Sequence, residues 1–142
     1  MRIAVVDGQG GGIGRALIEK LRQAFSDRIV LVALGTNSLA TSAMLKAGAD
    51  EGATGENAIA YNAICVDAIL GPIGIVVANS MLGELTPLMA KAIGESPAPK
   101  FLIPVNRCNV HIAGIESRSL PQHVEQAVSW VADIMVSGRP TS

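Results

Sequence analysis

Residues 8–14, GQGGGIG, hold five glycines in seven positions. They separate an apolar run that ends at Val6 and Asp7 from a segment whose apolar residues recur at helical spacing from Ile13 onwards. A glycine turn between a strand and a helix lets a phosphate approach the backbone closely, and the free N–H groups at the helix N-terminus favour an anion. The sequence therefore predicts that a nucleotide or a similar phosphate-bearing molecule binds at this turn.

Loops after the other predicted strands are expected to contribute to the same site, because such loops meet at one edge of a parallel sheet. Thr36 or Asn37 would contact a ribose, and Arg15 would contact a 2′-phosphate. NAD(P) is therefore the first candidate ligand, with another nucleotide as the alternative. The candidate binding residues are Asp7, Gly8, Gln9, Gly10, Gly11, Gly12, Ile13, Gly14, Arg15, Gly35, Thr36, Asn37, Gly71, Pro72, Gly74 and Asn106.

Several of these features also have a purely structural interpretation. The glycines could serve only to let the first helix pack closely on the first strand. Asp7 would then accept hydrogen bonds from the amides of its own turn. Glu84 is a candidate general base, although a glutamate just before Thr86 and Pro87 also favours a helix N-terminus. Both interpretations stay open on the sequence alone.

Cys108 and His111 have the spacing C-x-x-H. If 109–115 is a strand, side chains three residues apart point to opposite faces, so we expect no metal site. Arg107 would favour a reactive thiolate at Cys108, and a buried structural cysteine is the alternative. No pair of base and nucleophile is recognisable, so the sequence does not decide whether the protein is an enzyme. A non-catalytic ligand sensor or accessory subunit and a structural oligomer without a nucleotide are the alternatives.

The predicted elements that would position these residues alternate between strands and helices. Short apolar runs predict strands over 2–6, 29–34, 49–52, 67–70 and 100–105. The fourth strand could instead span 73–77, and residues 109–115 are expected to form a last strand. The turn residues 71–74 are expected to end the strand before them. Helical periodicity predicts helices over 13–25 and 39–47, and a third helix over 87–93 that follows the Thr86 cap. Two more helices are predicted from their caps, one after Thr54 and one after the capping box at 119–122.

This alternation predicts a three-layer α/β/α sandwich around a doubly wound, mostly parallel sheet, which is a Rossmann-like fold. A chain of 142 residues fits a single domain. We expect that domain to span 1–137 and to be followed by a flexible tail over 138–142.

Charged residues make up only 16% of the chain, below the usual share of about 25%. We therefore expect a second subunit to cover part of the apolar surface, as in a homo-oligomer. The segment 52–83 carries only two charged side chains, Glu56 and Asp67, so it is either central in the fold or an interface.

The remaining composition argues against two other classes of partner. The net charge is −1 and basic residues form no run, so nucleic acid is not an expected partner. The longest apolar run, 69–78, is too short to span a membrane, and no secretory signal pattern opens the sequence. We therefore expect a cytoplasmic protein whose two cysteines are thiols.

Two resemblances accompany these patterns. The turn GQGGGIG resembles the G-x-x-x-G-I-G turn of short-chain dehydrogenases. In that family a lysine lies four residues after the catalytic tyrosine, whereas here Cys65 lies four residues after Tyr61. The segments DGQGGGIG, ATGENA, GPIGI, GELTP and LIPVNRC resemble a family of small bacterial proteins known only as a domain of unknown function. This second resemblance implies a Rossmann-like fold and no established activity.

Overall fold

The computed structural model describes residues 1–105 and 108–139. Its strands are β1 (Arg2–Asp7), β2 (Val30–Gly35), β3 (Glu51–Thr54), β4 (Ala68–Pro72) and β5 (Lys100–Ile103). Its α-helices are α1 (Gly12–Phe25), α2 (Ser38–Ala47), α3 (Glu56–Ala63), α4 (Pro87–Glu95) and α5 (Leu120–Ser137). The strands form one sheet in the order β3-β2-β1-β4-β5, and every pair is parallel. The predicted single α/β domain is confirmed, with a sheet that is wholly parallel.

Alternate residues of β1 show how the three layers are held together. Ile3 and Val5 join a buried cluster with α1, α2 and α5, whereas Ala4 and Val6 join a second cluster with α3 and α4. Because successive strand residues point to opposite faces, a strand that is apolar throughout is buried on both sides. The sheet therefore lies between two helical layers.

The order of the strands reverses at β1, which pairs with β2 on one side and with β4 on the other. In such a sheet the connections leave β1 and β4 towards opposite faces, so a crevice opens between their carboxyl ends. β1 ends at Asp7 and β4 ends at Pro72. The glycine turn therefore lies at one edge of the crevice and residues 73–76 at the other.

The helix starts follow the predicted caps at Thr86 and Ser119, whose hydroxyls accept hydrogen bonds from the backbone N–H groups of Met89 and Gln122. The predicted Thr54 cap is wrong. Thr54 ends β3, its hydroxyl lies 2.8 Å from that of Thr41, and Gly55 precedes α3 without a side-chain cap. Pairing with β2 holds Thr54 in the sheet, where it cannot cap the helix.

The predicted strand bounds also need correction. β3 begins at Glu51 rather than at 49, and β5 ends at Ile103 rather than at 105. β4 continues through Gly71 and Pro72, contrary to the expected break. β4 pairs with β1 only from residue 68 to residue 70, so Pro72 has β5 as its single neighbouring strand. A proline is tolerated at such an edge position because its missing N–H group breaks no hydrogen bond to a second strand.

Two further predicted strands are wrong. The weakly charged segment 52–83, which was expected to be either central in the fold or an interface, is central in part. Residues 73–76 form a 3-10 helix instead of the alternative strand, and residues 109–115, all of which the structure describes, contain no strand. Within the weakly charged segment, all of β4 is buried, so this part is central in the fold.

The C-terminal helix ends where the predicted tail begins. α5 ends at Ser137, and Gly138 closes it with a φ of +71°. Residues 140–142 of the predicted tail lie outside the described residues. Among the described residues, no helix is both long enough and apolar enough to cross a membrane.

Gly71 and Gly94 provide a matched pair for testing the packing of β4 on β1. A Cβ added at Gly71 would lie 2.4 Å from the carbonyl oxygen of Val6, whereas one added at Gly94 in α4 would meet nothing within 4 Å. We expect Gly71→Ala to lower the free energy of unfolding by about 1–3 kcal/mol, because β1 and β4 must move apart. Gly94→Ala should raise it by up to about 1 kcal/mol, since alanine is the better helix former. Urea denaturation measures both effects, and equal effects would contradict this packing.

Candidate functional site

A cavity of about 580 Å³ opens at the carboxyl ends of β1 and β4. Nine of the predicted binding residues line it, and they come from the end of β1, the glycine turn, the end of β4 and the 3-10 helix that follows β4. They are Asp7, Gly8, Gln9, Gly10, Gly11, Gly12, Ile13, Pro72 and Gly74. Its volume lies within the range of about 300–1,000 Å³ that is usual for small-molecule sites.

Three glycines of the turn are required by the packing of the protein itself. A Cβ at Gly8 would lie 2.5 Å from the sulfur of Met81, and one at Gly14 would lie 2.5 Å from the sulfur of Met44. Gly11 has a φ of +73°, and a Cβ there would lie 2.9 Å from the Cα of Ala40. These three positions fit the structural interpretation, in which the glycines allow close approach.

Gly10 and Gly12 differ from the other glycines of the turn. A Cβ added at either position would meet nothing within 4 Å, and both residues line the cavity. The backbone hydrogen bonds of the turn run from the Gly11 amide to Gly8 and from the Arg15 amide to Gly11, and none joins the Gly10 or Gly12 amide to a described residue. The fold therefore leaves free donors and open space at these two positions.

Asp7 holds both ends of the glycine turn. Its side chain is only 5% exposed, and its two carboxylate oxygens accept hydrogen bonds from the Gly8 amide at 2.8 Å and the Gly14 amide at 2.7 Å. The interpretation of Asp7 as a cap for its own turn is confirmed. Burial raises the pKa of Asp7, and these hydrogen bonds oppose that effect only in part.

Glu84 connects the glycine turn to the residues after β2. Its Oε1 accepts hydrogen bonds from the Gln9 amide at 2.9 Å, the Thr36 hydroxyl at 2.8 Å and the Asn37 side-chain amide at 2.6 Å. We call these three contacts the Glu84 bridge. Burial raises the pKa of Glu84, but the hydrogen bonds of the bridge outweigh burial and lower it below its ordinary value.

None of the other predicted binding residues that the structure describes lines the cavity. Arg15 is exposed on α1 and pairs with Glu19, with 3.4 Å between Nε and Oε1. Thr36 and Asn37 belong to the Glu84 bridge, and Asn37 also caps α2 by accepting a hydrogen bond from the Ala40 amide.

Gly35 and Gly71 lie within strands, where an added Cβ would lie 2.2 Å from the Thr41 hydroxyl and 2.4 Å from the Val6 carbonyl oxygen, respectively. Close packing of the sheet therefore accounts for both glycines. The last predicted binding residue, Asn106, lies outside the described residues.

The far wall of the cavity consists mainly of residues that were absent from the predicted set. They are Ser80, Met81, Leu82, Val105, Cys108 and Leu120. Met81 and Leu82 have φ values of +58° and +57°, which non-glycine residues seldom adopt, and Leu82 is 99% exposed. No pattern of residue types marks this loop as a cavity wall, because its place against the turn follows from its left-handed backbone.

The expectation of no metal site at Cys108 and His111 rested on a strand over 109–115 that does not form. Cys108 lines the cavity and is half-buried. In the part of the chain that the structure describes, no group of three or more His, Cys, Asp or Glu side chains is arranged to hold a metal ion. Arg107, proposed to activate Cys108, lies outside the described residues.

Replacing Asp7 tests its hold on the turn. Asparagine offers one carbonyl oxygen and an NH₂ group, so one of the two backbone amides would lose its acceptor and face a donor. We expect Asp7→Asn to lower the free energy of unfolding by about 1–3 kcal/mol in urea denaturation. The exposed Asp27 provides the control, because Asp27→Asn should change this free energy by no more than about 0.5 kcal/mol. A similar small effect at both positions would show that Asp7 does not hold the turn.

Comparison with known proteins identifies the family. The sequence matches the model of a domain of unknown function, DUF3842, over residues 2–136. No curated protein and no solved structure matches the chain. The resemblance to short-chain dehydrogenases, predicted from the glycine turn alone, has no support from these comparisons. Because the family match spans almost the whole sequence, the chain belongs to this family, the domain of unknown function DUF3842.

Proposed function

We propose that the protein binds a nucleotide or dinucleotide in the cavity, with a phosphate on the amides of Gly10 and Gly12. The sequence makes NAD(P) the first candidate. The observation that carries the proposal is the open space at Gly10 and Gly12, since the packing of the protein does not require glycine at either position. A side chain there would occupy the space in which a phosphate meets the backbone.

The electrostatics of the turn support a bound anion at this place. Gly12 is the first residue of α1, so its N–H group has no acceptor within the helix, and the helix dipole adds positive potential. The nearby charge of Asp7 is compensated by hydrogen bonds from the Gly8 and Gly14 amides. A phosphate at Gly10 and Gly12 would therefore meet donors rather than an uncompensated carboxylate.

The rest of the cavity suits an apolar or planar group attached to the phosphate. Ile13, Met81, Leu82, Val105 and Leu120 contribute to its walls. Small-molecule sites combine such apolar walls with a few directed polar groups. The left-handed conformations of Met81 and Leu82 cost free energy, and such strain clusters at binding sites.

A binding role without turnover, as in a ligand sensor or accessory subunit, is the second candidate. Among the described residues that line the cavity, Asp7 has the only carboxylate. Both of its oxygens accept hydrogen bonds from backbone amides, which favours a structural role for Asp7 over general-base catalysis. Self-association and a cytoplasmic location stay predictions from the composition.

Thermal unfolding with added ligands tests the proposed function. We expect at least one compound among inorganic phosphate, adenosine monophosphate, ATP, flavin mononucleotide, NAD and NADP to stabilise the protein. A ligand at 100 times its dissociation constant adds about 2.7 kcal/mol to the free energy of unfolding. Gly12→Val should abolish the effect, because the valine would project into the cavity without meeting another part of the fold.

Gly94→Val is the matched control, since Gly94 is also a helical glycine with open space around it but lies outside the cavity. This variant should respond to the ligand as the unmodified protein does. Absence of stabilisation by every compound would contradict nucleotide binding. If a ligand stabilised Gly12→Val as much as the unmodified protein, that ligand would bind outside the glycine turn.

A further inference from the structure

The Glu84 bridge occupies the region between the glycine turn and the end of β2. Three donors converge on one carboxylate oxygen, and a second contact from the Asn37 side-chain amide to the Gln9 carbonyl, at 2.9 Å, joins the same segments. A Cβ at Gly8 would lie 2.5 Å from the Thr36 hydroxyl and 3.3 Å from Glu84 Oε1. This region is therefore filled by the protein.

A dinucleotide bound across a sheet of this topology needs space on both sides of the glycine turn. One nucleoside lies above the carboxyl end of β2 and the other lies above the strand on the far side of β1, which is β4 here. The cavity extends from the turn towards Pro72 and Val105, and it does not include Gly35, Thr36 or Asn37. Among the described residues, the cavity is therefore open on the β4 side and closed on the β2 side.

Opening the β2 side would be unfavourable for two reasons. The Gln9 amide, the Thr36 hydroxyl and the Asn37 side-chain amide would lose a charged acceptor, and hydrogen bonds to ionised groups are the stronger ones. The displaced carboxylate would also stay near the phosphates of the ligand and repel them.

We propose that Glu84 is a specificity-determining residue that closes the β2 side and restricts the cavity to compact ligands of mononucleotide size. This inference rests on the proposed function, because it assumes that a phosphate occupies Gly10 and Gly12. The ligand class is a molecule with one phosphate-bearing end, whose body lies against the apolar wall formed by Met81, Leu82, Val105 and Leu120.

Calorimetric titration with NAD and with its two halves, adenosine monophosphate and nicotinamide mononucleotide, tests the inference. Linking two groups raises affinity only where both can be bound at once. We therefore expect one of the halves to bind the unmodified protein about tenfold or more tightly than NAD does.

Substitution of Glu84 should reverse this preference. In Glu84→Ala the three donors of the bridge are released and can bind ribose hydroxyls, so NAD should bind about tenfold or more tightly than either half. Glu84→Gln separates size from charge, because it keeps an acceptor oxygen and the length of the side chain but removes the negative charge. This variant should reduce the preference of the unmodified protein without reversing it, because the β2 side stays filled while its hydrogen bonds become weaker.

The outcomes separate this inference from the proposed function. If the unmodified protein binds NAD more tightly than both halves, the inference about Glu84 is wrong while nucleotide binding stands, and this result does not require that the alanine variant folds. If the unmodified protein binds none of the three compounds but Glu84→Ala binds NAD, the blocking role is supported and native nucleotide binding is not. If neither protein binds any of them, the inference about Glu84 is rejected, and the thermal unfolding experiment with the wider set of compounds decides on nucleotide binding.

Discussion

The hydrogen bonds from the Gly8 and Gly14 amides to the buried carboxylate of Asp7 are the interaction on which the site depends. Residues 8–14 carry five glycines and would be highly flexible without a fixed partner. Asp7 ends β1, and Gly14 belongs to the first turn of α1, so one side chain fixes the entry of the turn and its exit. The direction of the α1 N-terminus relative to the sheet follows from this contact.

Once the turn is held, its remaining parts have separate roles. Gly8, Gly11 and Gly14 allow Met81, Ala40 and Met44 to approach, whereas Gly10 and Gly12 leave space towards the cavity. On the β2 side, the Glu84 bridge uses the Gln9 amide and fills the crevice. The reversal of strand order between β1 and β4 thus leaves one open side for a ligand, lined mainly by apolar groups.

Local patterns predict the elements whose determinants lie close together in the sequence. The apolar run of β1, the start of α1 after the glycine turn and the caps at Thr86 and Ser119 are of this kind. The hydrogen bond between Asn37 and Glu84 could not be predicted from local patterns, because the two residues lie 47 positions apart and only the folded chain brings them together. Likewise, the left-handed loop that carries Met81 and Leu82 has no residue-type signal that would place it against the turn.

We propose that the amides of Gly10 and Gly12 bind a phosphate, while those of Gly8 and Gly14 donate hydrogen bonds to Asp7. Titration with adenosine monophosphate, followed by ¹H–¹⁵N correlation spectra of the labelled protein, observes these four amides separately. We expect the Gly10 and Gly12 signals to move most and to saturate together, with much smaller changes at Gly8 and Gly14. Signals of Gly10 and Gly12 that stay in place, while others distant from the cavity respond, would contradict it.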